Sequence, residues 1–144
     1  MNLDINGEPF KGLVNKEQIT EALSSLTGVG DSFVILSQDD MYYIQTCGDK
    51  TSGFHVEYRE GSEDMHFECT QTLSLQETIE VFHSYFEGSD DWKSRYPWKK
   101  MNMNILNGNG ATGVSEMELE EQPQSLVLFA AIAIAVALMW FYLR

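Results

Sequence analysis

Residues 126–143 read LVLFAAIAIAVALMWFYL, eighteen residues without a charge, glycine, proline or amide side chain. As a helix this run covers about 27 Å, close to the ~30 Å hydrocarbon core of a bilayer. A helix also satisfies its own backbone hydrogen bonds in lipid. A helix packed on the surface of a soluble domain keeps a polar face, and this run has none. Trp140 and Tyr142 stand at its far end, where amphipathic rings favour the membrane interface, and Arg144 follows. The run is therefore read as a single transmembrane anchor, and the other features of the chain are weighed against that.

Before the anchor the chain carries 22 acidic residues against eight basic ones, a net charge of −14, because the ninth base is Arg144. So acidic a surface argues against nucleic acid and anionic lipid as general partners and is compatible with a basic protein. The start, MNLDINGEPFKG, lacks the basic and apolar regions of a signal peptide. The expected topology is tail-anchored and single-pass, with the soluble domain facing the cytoplasm. The positive-inside rule alone leans the other way, since four glutamates precede the span and Arg144 follows it. It is given less weight, because obeying it means exporting a folded domain.

Three segments follow: a soluble domain over 1–103, a flexible acidic linker over 104–124, and the anchor over 125–144. In the first, 2–10 reads as an edge strand or hairpin turning at Asn6 and Gly7. A helix then starts at the N-cap Asn15, with Val14 and Ile19 as a staple and Ile19, Ala22, Leu23 and Leu26 as its apolar stripe, and ends at Gly28 and Gly30. Residues 31–70 read as successive strands: 33–36, 41–47, and a hairpin of 54–60 with 63–70 turning at Gly61 and Ser62. Alternation places Phe54, Val56 and Tyr58 on one face with Met65, Phe67 and Cys69. A tight turn pairs Tyr58 with Met65, Val56 with Phe67 and Phe54 with Cys69. A second helix has a capping box at Ser74 and Glu77, a stripe of Leu75, Ile79, Phe82 and Phe86, and a stop at Gly88. The expected fold is α+β, an antiparallel β-meander with two amphipathic helices packed on one face.

No phosphate loop, HExxH, CxxC or GxSxG is present. A non-enzymatic protein without cofactor or catalytic residue is expected. Cys47 and Cys69 end strands two spacings apart, beyond disulfide reach, and read as free thiols. The same hairpin register sets Glu57 opposite His66, His55 opposite Glu68 and Arg59 opposite Asp64. His55, Glu57, His66 and Glu68 can be read as a divalent-metal patch or as ordinary cross-strand charge pairs, and the second reading is preferred. His83 reads as a residue at the core boundary. Glu57, Glu60, Glu63, Asp64 and Glu68 then form an acidic face for a basic protein partner. Trp92 and Trp98, in the aromatic and basic stretch 91–103, either close the core or supply a neighbouring anchor. In the tail, Ala131 with Ala135 and Ala133 with Ala137 are small residues four apart, suited to a weak homodimer.

The stretch 56–101, with VEYREGSEDMHFEC, then VFHSYFEG, then DDWKSRYPWKKM, resembles small uncharacterised bacterial domains that include immunity-type proteins of toxin systems. The resemblance implies a bacterial, immunity-like binding role and carries no catalytic signature. The function expected is a membrane-tethered protein-binding module. The alternative is a tail-anchored scaffold or adaptor of a resident membrane complex.

Overall fold

Asn6 and Gly7 both take positive φ, 55° and 85°, the backbone a two-residue hairpin turn requires. The Asp4 carboxylate accepts from the Gly7 amide at 2.8 Å. This turn joins β1 (Asn2–Ile5) to β2 (Glu8–Pro9) in a computed structural model that describes residues 1–30 and 32–101. The 126–143 run, the linker, the alanine pairs and the end of the expected domain lie outside the described residues. Among the described residues no helix is long and apolar enough to cross a membrane.

The chain continues through α1 (Lys16–Ser25), β3 (Phe33–Asp39), β4 (Tyr42–Asp49), β5 (Gly53–Glu60), β6 (His66–Cys69), α2 (Leu75–Phe86), α3 (Asp91–Arg95) and β7 (Trp98–Lys100). The strands form one seven-stranded antiparallel sheet in the order β2-β1-β3-β4-β5-β6-β7. The class is α+β, as the sequence predicts. The 2–10 region forms the hairpin, one of its two expected forms: β1 pairs with β3, and the two-residue β2, ending in Pro9, takes the edge, where a residue without an amide proton is tolerated.

Both long helices start at the predicted caps. Asn15 accepts from the amides of Glu17 and Gln18 at 2.8 and 3.2 Å. Ser74 and Glu77 complete a reciprocal capping box. In α1 the buried residues are Ile19, Ala22 and Leu23, with Leu26 buried just beyond the helix. In α2 the most buried positions are Thr78, Val81 and Phe82, one step around the helix from the expected stripe. Leu75, Ile79 and Phe86 pack at the margin of the core. The reason is that α2 meets α1 as well as the sheet: His83 Nε2 lies 3.0 Å from Thr20 Oγ1 and 3.1 Å from the Lys16 carbonyl.

One parity of the strands feeds the core: Leu3, Val34, Leu36, Ile44, Val56, Tyr58 and Cys69, joined by Ile19, Leu23, Val81, Phe82 and Trp92 from the helices. The helices lie on this face, and among the described residues no helix covers the other. Trp92 and Trp98 meet edge-on at 5.2 Å, and each stands edge-on to Tyr58 at 4.9 Å. Such aromatic pairs contribute roughly 0.5–1.5 kcal/mol beyond their burial. Trp92 is 1% exposed, so it closes the core. Trp98 is half-buried against the same cluster.

The β5–β6 hairpin departs from expectation by two residues. The pairs are Tyr58 with Phe67, Arg59 with His66 and Glu57 with Glu68, and Phe54 bridges to Leu73 instead of Cys69. The loop is four residues, 61–64, closed by the Glu60 amide on the Met65 carbonyl at 3.0 Å. A slip of two keeps every side chain on its face, so alternation carries no signal against it. Cys47 faces away from the helices beside His55, while Cys69 belongs to the core. The two free thiols are on opposite faces of the sheet.

Candidate functional site

Two polar constellations rest on this frame. The first lies on the face away from the helices, where β4, β5 and β6 bring Tyr43, Gln45, Glu57, Arg59 and His66 together. His66 is completely buried. Its Nδ1 lies 3.3 Å from Arg59 Nη2, and its Nε2 lies 3.1 Å from Glu57 Oε2. Arg59 can only donate, so Nδ1 accepts and Nε2–H donates to the carboxylate. Gln45 Nε2 donates to the same Glu57 oxygen at 2.7 Å. The Arg59 guanidinium lies 5.4 Å from the centre of the Tyr43 ring, within cation–π range. Glu68, directly across from Glu57, has Lys99 Nζ at 3.5 Å. Like charges opposite one another repel, and here each carboxylate is met by its own donor.

This arrangement separates the four residues that could be read as a metal patch. Glu57 faces Glu68 and Arg59 faces His66, in place of the predicted Glu57–His66, His55–Glu68 and Arg59–Asp64 pairs. A guanidinium donates to one nitrogen of the histidine. Among the described residues no three His, Cys, Asp or Glu side chains gather as a metal would require. Burial, with the Glu57 charge adding to it, pushes the Cys47 thiol up to about 12, far from a reactive thiolate.

The second constellation is at one end of the domain. In an antiparallel meander alternate turns share an end, and here the β3–β4 and β5–β6 turns do so. The Gly61 amide donates to the Met41 carbonyl at 2.8 Å. Gly61 has φ 76°, and a Cβ there would fall 2.6 Å from Tyr42 Oη, so the close approach of the two turns needs glycine. The α2–α3 connection arrives at the same end, where Lys93 bridges to Glu60 on β5 and to Asp90 at 2.7 Å.

Half-buried Glu60 and exposed Asp90 line a cleft of about 230 Å³ at this end, and exposed Asp39, Asp40, Glu63 and Asp64 belong to the two turns that meet there. Its lining includes Tyr42, Tyr58, Tyr85, Trp92, Glu60 and Lys93. Lys93 Nζ sits 5.5 Å from the Tyr58 ring centre and 5.4 Å from that of Trp92. Burial works to lower the Lys93 pKa, but its bonds to Asp90 and Glu60 prevail and hold it above the usual lysine value. The Tyr85 hydroxyl is buried without a hydrogen-bond partner. Burial, then the Asp39 charge, holds Tyr85 well above the usual tyrosine range. Tyr42, 44% exposed, and Met65, 37% exposed, supply apolar surface beside the acids.

The predicted acidic face is therefore divided. Glu63 and Asp64 lie exposed in the hairpin loop, and Glu60 lies beside Lys93 on the helix side of β5. Glu57 and Glu68 lie across from one another on the other face of the sheet. Asp39, Asp40, Tyr42, Tyr85 and Asp90 were not anticipated as site residues. The signal that would have found them is the meander itself, which brings two acid-bearing turns to one end. No protein-family model, curated protein or solved structure matches the chain.

Proposed function

We propose that this chain is a membrane-tethered, non-enzymatic protein-binding module that meets a basic partner through its acidic end. The observation that supports this most is an aromatic cleft lined by Glu60 and Asp90 and by exposed Tyr42, at the end of the domain where the acidic turns around 39–40 and 61–64 meet. An apolar centre with a charged rim is the usual anatomy of a protein interface. Massed charge of one sign steers an opposite partner and speeds its association. Binding is favoured over catalysis because the polar cluster on the sheet face has its histidine fully buried, with both ring nitrogens engaged. The tether rests on the composition of residues 126–143.

One concrete form of this role is immunity-like, neutralising a basic or membrane-acting toxin, as the resemblance of 56–101 to bacterial immunity-type domains suggests. The test is crosslinking from intact membranes, followed by binding measurements with the captured protein. A basic partner whose association falls as salt rises is expected, and deletion of residues 126–144 is expected to release the protein from carbonate-washed membranes. A truncated protein that stays with the membrane removes the tether. A captured partner indifferent to salt removes the acidic site.

A further inference from the structure

The cleft already holds a cation of its own. Lys93 reaches it from α3, forms ion pairs with Glu60 and Asp90, and places its ammonium over the rings of Tyr58 and Trp92. Acid on one side and aromatic faces on the other is the recipe for recognising an organic cation. The remaining space, about 230 Å³, is below the 300–1,000 Å³ common for pockets that enclose a drug-sized molecule. It suits one long side chain entering from a partner. The Lys93 side chain is 24% exposed and that of Asp90 is 79% exposed, so the ion pair lies where an incoming group can compete for it. Tyr42 offers an exposed ring face at the rim, and the buried Tyr85 hydroxyl offers an unused polar atom inside.

We infer that the cleft is a receptor for an arginine side chain of the partner protein, with Lys93 as a resident cation that the arginine displaces from Glu60 and Asp90. Arginine is the better match because its planar guanidinium stacks on tyrosine and pairs with a carboxylate through two parallel hydrogen bonds, whereas an ammonium is a compact, strongly hydrated point charge. Arg59 also contributes to the lining, but its guanidinium is already engaged, 3.3 Å from His66 Nδ1 and 5.4 Å from the centre of the Tyr43 ring. The inference rests on the proposed basic-partner reading and names the group that the site takes.

The test uses the full chain in nonionic detergent and three probes: an acetylated tri-arginine amide, its tri-lysine counterpart and its neutral tri-citrulline counterpart. Binding is read by calorimetry, and location by chemical shifts of the Trp92 indole and Tyr42 ring. The arginine peptide is expected to bind about tenfold tighter than the lysine peptide, and the citrulline peptide not to bind. Lys93→Met, which removes the resident ammonium, is expected to tighten arginine binding by about tenfold. Lys93→Arg, which installs a better internal occupant, is expected to weaken it. A merely structural Lys93 would not move affinity in opposite directions. Tyr42→Ala, at an exposed ring, is expected to weaken binding several-fold without touching the core, which keeps the test independent of folding at Lys93. Equal affinity for arginine and lysine peptides overturns the inference, as does indifference to Lys93→Met and Tyr42→Ala. If those variants are silent while a captured basic partner still binds in a salt-dependent way, the cleft is not the receptor and the acidic-end reading stands. If salt dependence is lost as well, both fall.

Discussion

The two polar regions of this domain use the same residue types and treat them in opposite ways. On the sheet face, Glu57 is met by Gln45 and His66, His66 by Arg59, and Glu68 by Lys99. At the acidic end, Asp39, Asp40, Glu63 and Asp64 are exposed carboxylates on turns, with Lys93 held between Glu60 and Asp90. Charge neutralised within the fold supports the fold. Asp39 also closes its own turn, accepting from the Met41 and Tyr42 amides at 2.9 and 3.0 Å, but Asp40, Glu63 and Asp64, exposed at a high-dielectric surface, add little to the fold and supply a field directed outward.

The largest expected effect breaks the first region. His66→Ala leaves Glu57 and Arg59 without their shared partner and opens a void at a fully buried position. A loss of about 2–4 kcal/mol is expected in denaturant unfolding, and a change under about 0.5 kcal/mol would show that the cluster is incidental. Glu57→Lys should destabilise for the same reason, by placing an ammonium beside Arg59. The second expectation breaks the other region. Reversing Glu63 and Asp64 together to lysine should leave the unfolding midpoint nearly unchanged, within about 0.5 kcal/mol. It should also slow association with a basic partner by about tenfold at low salt. Equal effects from the two sets of substitutions would erase the distinction between the regions.

A third, smaller effect sharpens the boundary between them. Tyr85 carries a buried hydroxyl with no partner, so Tyr85→Phe should gain up to about 1 kcal/mol. The sign with pH follows from its raised pKa. The folded state holds the phenol proton more tightly than the unfolded chain does. The contribution is therefore complete below about pH 10, the unfolded tyrosine value, and is lost as pH rises toward the folded value. Tyr85→Phe should thus flatten the alkaline limb of the stability profile, measured by circular dichroism. A last effect belongs to neither region and sets the scale. Ser74→Ala should cost about 1 kcal/mol by breaking the capping box. Glu77, held below its usual range by bonds from the Ser74 side chain and amide, contributes above its unfolded pKa and loses that contribution as pH falls through the folded one.

Much of the fold was legible because it is locally encoded. Asn15, Ser74 and Glu77 announce helix starts, Asn6 and Gly7 a turn, and alternation in 54–60 separates the two faces of the sheet. What was not legible depends on distant partners. Asn6 and Gly7 signal the hairpin, but nothing in 2–5 says that it pairs with 33–39. The hairpin's two-residue slip preserves parity, and only the closure of the 61–64 loop decides it. His66 alternates with Phe67 like any residue of a solvated face. Its burial follows from the Tyr43 and Arg59 side chains of two neighbouring strands, which meet it only after pairing. The acidic site is half visible in the sequence: Glu60, Glu63 and Asp64 stand out, but Asp39 and Asp40 fall between the 33–36 and 41–47 strands, and Tyr85 lies off the stripe that 3.6-residue periodicity selects.

The short outer strands of the sheet bear on behaviour at high local concentration. A long, flat, apolar edge is a template for pairing with another copy, and aggregation follows from it. Here one edge is the two residues Glu8 and Pro9, the second of which cannot donate, and the other is three residues ending in Lys99 and Lys100. Among the described residues neither presents more than a brief ladder, and two copies meeting along the lysine edge bring like charges together. Short, charged edges of this kind work against edge-to-edge pairing when the domain is concentrated.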